Sequence, residues 1–167
     1  MRRMGRVLAA VVTLALVGAG ALHAAPFERL VSAGAVSVRV PDDWSRVAPA
    51  VASVSDPRTV LVVGTRGVAA RDSECQVSSY RVPADGAAVV VVGWRGQAPE
   101  GLPRDRSELQ AMRLRRPLFE CFDGRGAVAQ IVLRGRAYQV SIMVGDRAGR
   151  ETLAAAYAVA RSFGLAP

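Results

Sequence analysis

Apolar positions along this chain fall into two kinds of run, and the difference predicts which strands lie deepest. Val36, Val38 and Val40 alternate with Ser37 and Arg39, the period of two expected of a strand with one face in the core. Pro41-Asp42-Asp43-Trp44 ends that pattern as a turn. Residues 59–65 (TVLVVGT) and 87–94 (AAVVVVGW) are instead continuous apolar runs, which suit strands covered on both faces. The two runs resemble each other and read best as neighbouring core strands. Residues 127–133 and 136–144 flank Arg134-Gly135, a two-residue connection ending in Gly that predicts an antiparallel hairpin. In its second strand Tyr138, Val140, Ile142 and Val144 face one way, and Gln139, Ser141 and Met143 the other.

Three further segments complete the pattern. Asp72 is placed to cap a short helix running through Cys75 to about Arg81, and residues 95–116 read as a polar, partner-facing loop with short extended pieces near 111–114 and 119–122. From Arg150 to about Phe163 the positions Leu153, Ala156, Tyr157, Ala160 and Phe163 recur every three or four residues, with Asp146 as the expected N-cap and Gly164 as the stop. The expected fold class is α+β: an antiparallel or mixed sheet packed by helices, with a C-terminal hairpin followed by an amphipathic helix.

The N-terminus reads differently from the rest. MRRMGR precedes an apolar run over 7–22 and the small residues Ala19, Ala21, Ala24 and Ala25, the layout of a secretory signal peptide. The run is shorter than the roughly 20 residues of a spanning helix; left uncleaved it would tether the protein to a membrane. The 167 residues thus divide into a leader, 1–25, and a single α+β domain, 26–167. The expected location is secreted, or on the extracytoplasmic face of the cell envelope.

Export changes the meaning of the charge. All 22 basic residues are Arg, against 14 acids and one His. Losing the leader removes Arg2, Arg3, Arg6 and His23, so the formal charge falls from +8 to +5. In that compartment nucleic acid is not an expected partner; an envelope protein or an anionic surface is. Cys75 and Cys121, the only thiols, are expected to pair there, closing a loop of about 47 residues worth about 4 kcal/mol.

A resemblance can now be stated. SVRVPDDW, the apolar strands, the closing hairpin and a last helix ending in ARSF are similar to PsbP-like α+β domains. YRVPADGAAVVVVGW, ECFDGRG, GRAYQVSIMVGD and AVARSFGL look like small uncharacterised exported domains of high-GC bacteria. The resemblance covers most of the chain after the leader. It implies the fold and an accessory or binding role, and brings no activity and no functional residues with it.

Chemistry narrows by exclusion. Beyond the leader there is no His and no Lys, which removes Ser-His-Asp, Cys-His, Ser-Lys and Schiff-base mechanisms. No cofactor or metal is expected: two Cys and carboxylates alone make a poor zinc set. Gly124-Arg125-Gly126-Ala127-Val128-Ala129, with Asp146 beyond it, spells the dinucleotide fingerprint, but those glycines must open a helix and here they lead into a β-rich hairpin. Asp42 with Asp43, and Glu120 with Asp123, are the acidic pairs that a carboxylate-only hydrolase would use; the first reads more simply as a turn, the second as an ion-paired surface. Arg104, Arg106, Arg113, Arg115 and Arg116 form an Arg-rich loop suited to phosphate or carboxylate groups. Trp44 and Trp94 read as core caps at strand ends. The expected role is a non-catalytic exported accessory or interaction module. The alternatives are a small envelope hydrolase, and a binder of an anionic membrane surface or acidic polymer through that loop.

Overall fold

A computed structural model describes residues 29–50, 55–71, 80–115, 122 and 124–167. The leader, both cysteines, Arg116, and the acidic pair Glu120 and Asp123 lie outside the described residues. In chain order the elements are β1 (Arg29–Ala33), β2 (Val36–Val40), β3 (Ser45–Arg46), β4 (Arg58–Gly64), β5 (Ala69–Ala70), β6 (Tyr80–Arg81), β7 (Ala87–Gly93), α1 (Ser107–Ala111), β8 (Arg125–Leu133), β9 (Arg136–Val144), α2 (Arg150–Arg161) and β10 (Gly164–Leu165). The protein is mainly β-sheet, with little helix.

The central sheet has the order β3-β4-β7-β9-β8, and each neighbouring pair is antiparallel. The two continuous apolar runs are indeed neighbours, with Val62 opposite Val90 and Val63 opposite Val89. Every residue of β7 is buried, and its side chains feed two separate clusters. Val89 and Val91 join Leu61, Val63, Val140 and Ile142 on one face; Ala88, Val90 and Val92 join Val62, Tyr80 and Met143 on the other. The alternation in β9 falls as the sequence predicts, and even Ser141 on its second face is fully buried, accepting a bond from Gln139 Nε2 at 3.3 Å.

The first face is covered by α2, α1 and the small sheet β1-β2-β10. Ala156 and Ala160 are fully buried, and their small size lets α2 lie close to β7 and β9. Phe163, just past the helix, is fully buried with its ring edge-on to Tyr138 at 5.5 Å. The helix ends earlier than the Gly164 stop expected from the sequence: Arg161 is its last residue and Ser162 its C-cap, and Gly164 pairs with Ser37 as the start of β10. The second face is covered by irregular chain around Val47, Ala50, Val68, Val82, Trp94 and Phe122.

The β8–β9 hairpin turns through Arg134 and Gly135 at φ +47° and +76°, the two positive values of a type I′ connection. The outer edge of β8 is not open. The Pro103 carbonyl accepts from Val132 N at 2.8 Å, Arg115 and Gly126 exchange bonds at 2.7 and 2.9 Å, and α1 lies between these two contacts. Covered edges of this kind resist strand addition by other chains.

Three local expectations are corrected. Tyr80 and Arg81 form a strand paired with Ala69 and Ala70, not the end of a helix; the buried Tyr80 side chain overrides local propensity. The extended piece expected from 111 begins only after Ala111, which closes α1. The N-cap of α2 is Gly149, which makes no side-chain capping bond, and Asp146 lies three residues earlier. Gly124 and Gly126 lead into an extended strand, and a Cβ on Gly124 would collide with the Phe122 ring and the Val144 carbonyl. The first of these glycines serves close packing.

Two stability predictions follow from this packing. Phe163→Ala should cost about 4 kcal/mol in urea unfolding, since a fully buried ring is removed. Gly145→Ala would drive a Cβ into the Pro83 and Ala84 carbonyls and should cost about 3 kcal/mol or prevent folding, whereas Gly149→Ala, with open space around it, should change little.

Candidate functional site

A concavity of about 710 Å³ opens at the end of the sheet where β4 finishes and β7 begins. Three tight segments build it. Residues 41–44 are closed by Trp44 N donating to the Pro41 carbonyl at 3.1 Å, with the Trp44 side chain 1% exposed as the anchor. Thr65 is fixed against Ala87, donating its N–H to the Ala87 carbonyl at 3.0 Å and accepting from Ala87 N at 3.1 Å on Oγ1. Gly86 closes the third turn onto the Pro83 carbonyl at 3.0 Å, and only glycine fits there, since a Cβ would lie 2.5 Å from Thr65 Oγ1. Arg29 reaches the Trp44 carbonyl, and Thr152 in the first turn of α2 completes the wall.

The groove is polar and of mixed charge. Asp42, Asp43 and Asp85 face it together with Arg29 and Arg66, all of them on exposed residues. Asp42 and Asp43 occupy the turn that the sequence assigns them. Such a lining suits a partner carrying both signs of charge, held by ion pairs at a wet surface. Among the described residues no three acidic, His or Cys side chains gather into a metal-binding group. Arg29, Arg66, Asp85 and Thr152 carry no signal in the sequence, because four distant segments bring them together.

The Arg-rich loop proves to be the cover of the β8 edge. Arg106 donates to the Arg161 carbonyl at the end of α2. Arg113 folds back on its own helix, donating to the Ala111 and Met112 carbonyls at 3.2 and 2.9 Å. Arg161 returns the contact by stacking over Tyr157 at 5.1 Å and donating to the Gln110 carbonyl at 3.4 Å, while Tyr157 Oη accepts from Leu114 N at 3.0 Å. Arg115 is a backbone partner of Gly126; its side chain and that of Arg113 line a cleft of about 280 Å³ beside Glu108. Arg104 is exposed. Asp105 accepts from Ser107 N at 2.9 Å, and bonds from the Ser107 hydroxyl and then its N–H hold the carboxyl below its ordinary range.

The second apolar cluster contains the most heavily shielded phenol. Tyr80 is 1% exposed, and its oxygen accepts from Ala50 N at 3.0 Å. Burial pushes its ionisation above the ordinary value of 10.0, an effect only partly offset by hydrogen bonds from Ala50 and Thr59. Cys75 and Cys121, being outside the described residues, have no geometry to report. Tyr80 and Phe122, the first described residues after each cysteine, pack in this same cluster.

Searched against protein-family models, curated proteins and solved structures, the chain matches none. Among the described residues no helix is long and apolar enough to cross a membrane.

The Tyr80 environment predicts a pH dependence. Because the folded phenol binds its proton more tightly than the unfolded one, its contribution to stability is complete below pH 10 and is lost as pH climbs through the raised folded value. Ultraviolet titration should show one tyrosine ionising late and together with unfolding. Tyr80→Phe should abolish that step and cost about 1 kcal/mol, from the Ala50 N–H left without its acceptor.

Proposed function

We propose that this protein is an exported, non-catalytic accessory or interaction module of the cell envelope, built as an α+β sandwich of the PsbP-like kind. The observation that carries this reading is the combination of a sheet core sealed on both faces with a surface whose recesses are wet and charged. Enzyme sites usually sit in apolar, water-excluding pockets with a few convergent polar groups. Here the groove carries three carboxylates and two guanidiniums at an exposed turn cluster, an arrangement better suited to recognition than to acid–base chemistry.

The disulfide belongs to the same reading. Packing of Tyr80 and Phe122 in one cluster brings the chain that follows each cysteine to the same face of the sheet, which supports a bridge between Cys75 and Cys121. It would fasten the irregular chain that covers that face.

Fractionation of the native cell tests both points. The protein should be recovered outside the cytoplasm with its N-terminus between Ala21 and Pro26, and a non-reduced digest should contain a peptide pair joined through Cys75 and Cys121. Reduction should lower stability by up to about 4 kcal/mol. Recovery of the full-length chain from the cytosol with two free thiols would sink the proposal. Crosslinking in the intact envelope should yield a discrete adduct that Arg66→Glu with Asp85→Arg, a swap of charges across the groove, removes.

A further inference from the structure

The register of the central sheet gathers a second charged surface, at the end opposite the groove. Arg58 opens β4 opposite Gly93, the last residue of β7; Gly93 in turn lies opposite Tyr138 in β9, two residues beyond Arg136, which pairs with Leu133. Arg95 follows β7 by two residues, and Arg134 stands at the tip of the β8–β9 hairpin. Loop 94–98 is tied to that hairpin by Trp94 N to the Ala137 carbonyl at 3.1 Å and Ala98 N to the Gly135 carbonyl at 2.9 Å. Four arginines from three distant segments therefore share one rim, spanning about three inter-strand spacings, or ~15 Å.

All four are exposed, and among the described residues their guanidiniums make no hydrogen bond or ion pair. Asp56 stands at this end, its Oδ1 accepting from Arg95 N at 3.1 Å, and Glu100 is exposed in the segment after Arg95. Positive charge is in excess. The hairpin tip adds a second argument: its φ of +47° favours Gly, Asn or Asp, yet the position holds a long cationic residue. A local preference set aside at an exposed tip marks a site where the side chain itself is used.

We propose that this rim docks the protein on an anionic phospholipid surface. Guanidinium forks match phosphate oxygens. Arg58 and Arg136 open strands, Arg95 and Arg134 lie in the adjoining connections, and the four stand side by side along one end of a single sheet, a layout that meets a layer of headgroups. Trp94, half-buried beside the rim, is of the type enriched at membrane–water interfaces. Arg29, the first described residue, lies in the groove at the other end, apart from the rim. The proposal rests on the exported reading, whose own test is cell fractionation; the two can fail separately.

The experiment is sedimentation of the purified exported chain with phosphatidylcholine vesicles, with or without phosphatidylglycerol. Binding should require the anionic lipid and fall steeply with added salt. Each of Arg58→Gln, Arg95→Gln, Arg134→Asn and Arg136→Gln should lower the partition coefficient about fivefold, and the four together several hundredfold. Arg134→Asn creates Asn-Gly, the preferred pair for this turn, so the fold is safe and that variant decides the matter even if the quadruple one misfolds. Arg113→Gln with Arg115→Gln, in the loop along β8, should bind as the parent does. Equal binding to neutral vesicles, no binding to anionic ones, undiminished binding of Arg134→Asn, or displacement from vesicles by a soluble polyanion at equal phosphate would each overturn the proposal.

Discussion

The structure depends on one constraint: β7 is apolar on both faces and must be shielded from water on both. A strand such as AAVVVVG, with all seven residues buried, removes on the order of 2 kcal/mol per valine from contact with water, but only if covering chain is supplied twice. One cover is regular, with α2, α1 and a three-stranded sheet laid on Val89, Val91, Val140 and Ile142. The other is irregular chain around Tyr80, Val82 and Phe122. The charged surfaces at the two ends of the sheet are what remains once both faces are occupied.

That division explains how much could be read in advance. The strands 59–65 and 87–94 declare themselves because no half-exposed strand carries so many consecutive apolar residues, and α2 declares itself through the spacing of Leu153, Ala156, Ala160 and Phe163. The hairpin at Arg134-Gly135 is visible from its glycine alone. Strand order is not: nothing in the letters says that β9, not β8, lies next to β7. Residues 80–81 escape a local reading because Tyr80 is held by the core and not by its neighbours in sequence. Gly164 reads as a helix stop, yet the helix has already ended at Arg161 and this glycine opens a strand whose partner, β2, lies far away in sequence.

The charged surfaces were legible only in part, for a related reason. A run such as Arg104, Arg106, Arg113 and Arg115 attracts notice because its members are close in sequence, yet Arg106 and Arg113 are spent on the carbonyls of Arg161, Ala111 and Met112. Arg58, Arg95, Arg134 and Arg136 attract none, and register alone makes them neighbours. In the groove, Asp42 and Asp43 were visible as a turn, but their companions Arg66 and Asp85 lie more than 20 residues away.

The pairing of β10 with β2 carries a kinetic consequence. Ser37 Oγ donates to the Leu165 carbonyl across 128 positions of sequence, and Ala166 N donates to the Ala35 carbonyl beside it. Contacts of such separation demand a large loss of chain entropy before they return any stabilisation. A growing polypeptide cannot close this seam until residue 165 has been made, so the small sheet and the helix it holds must assemble late.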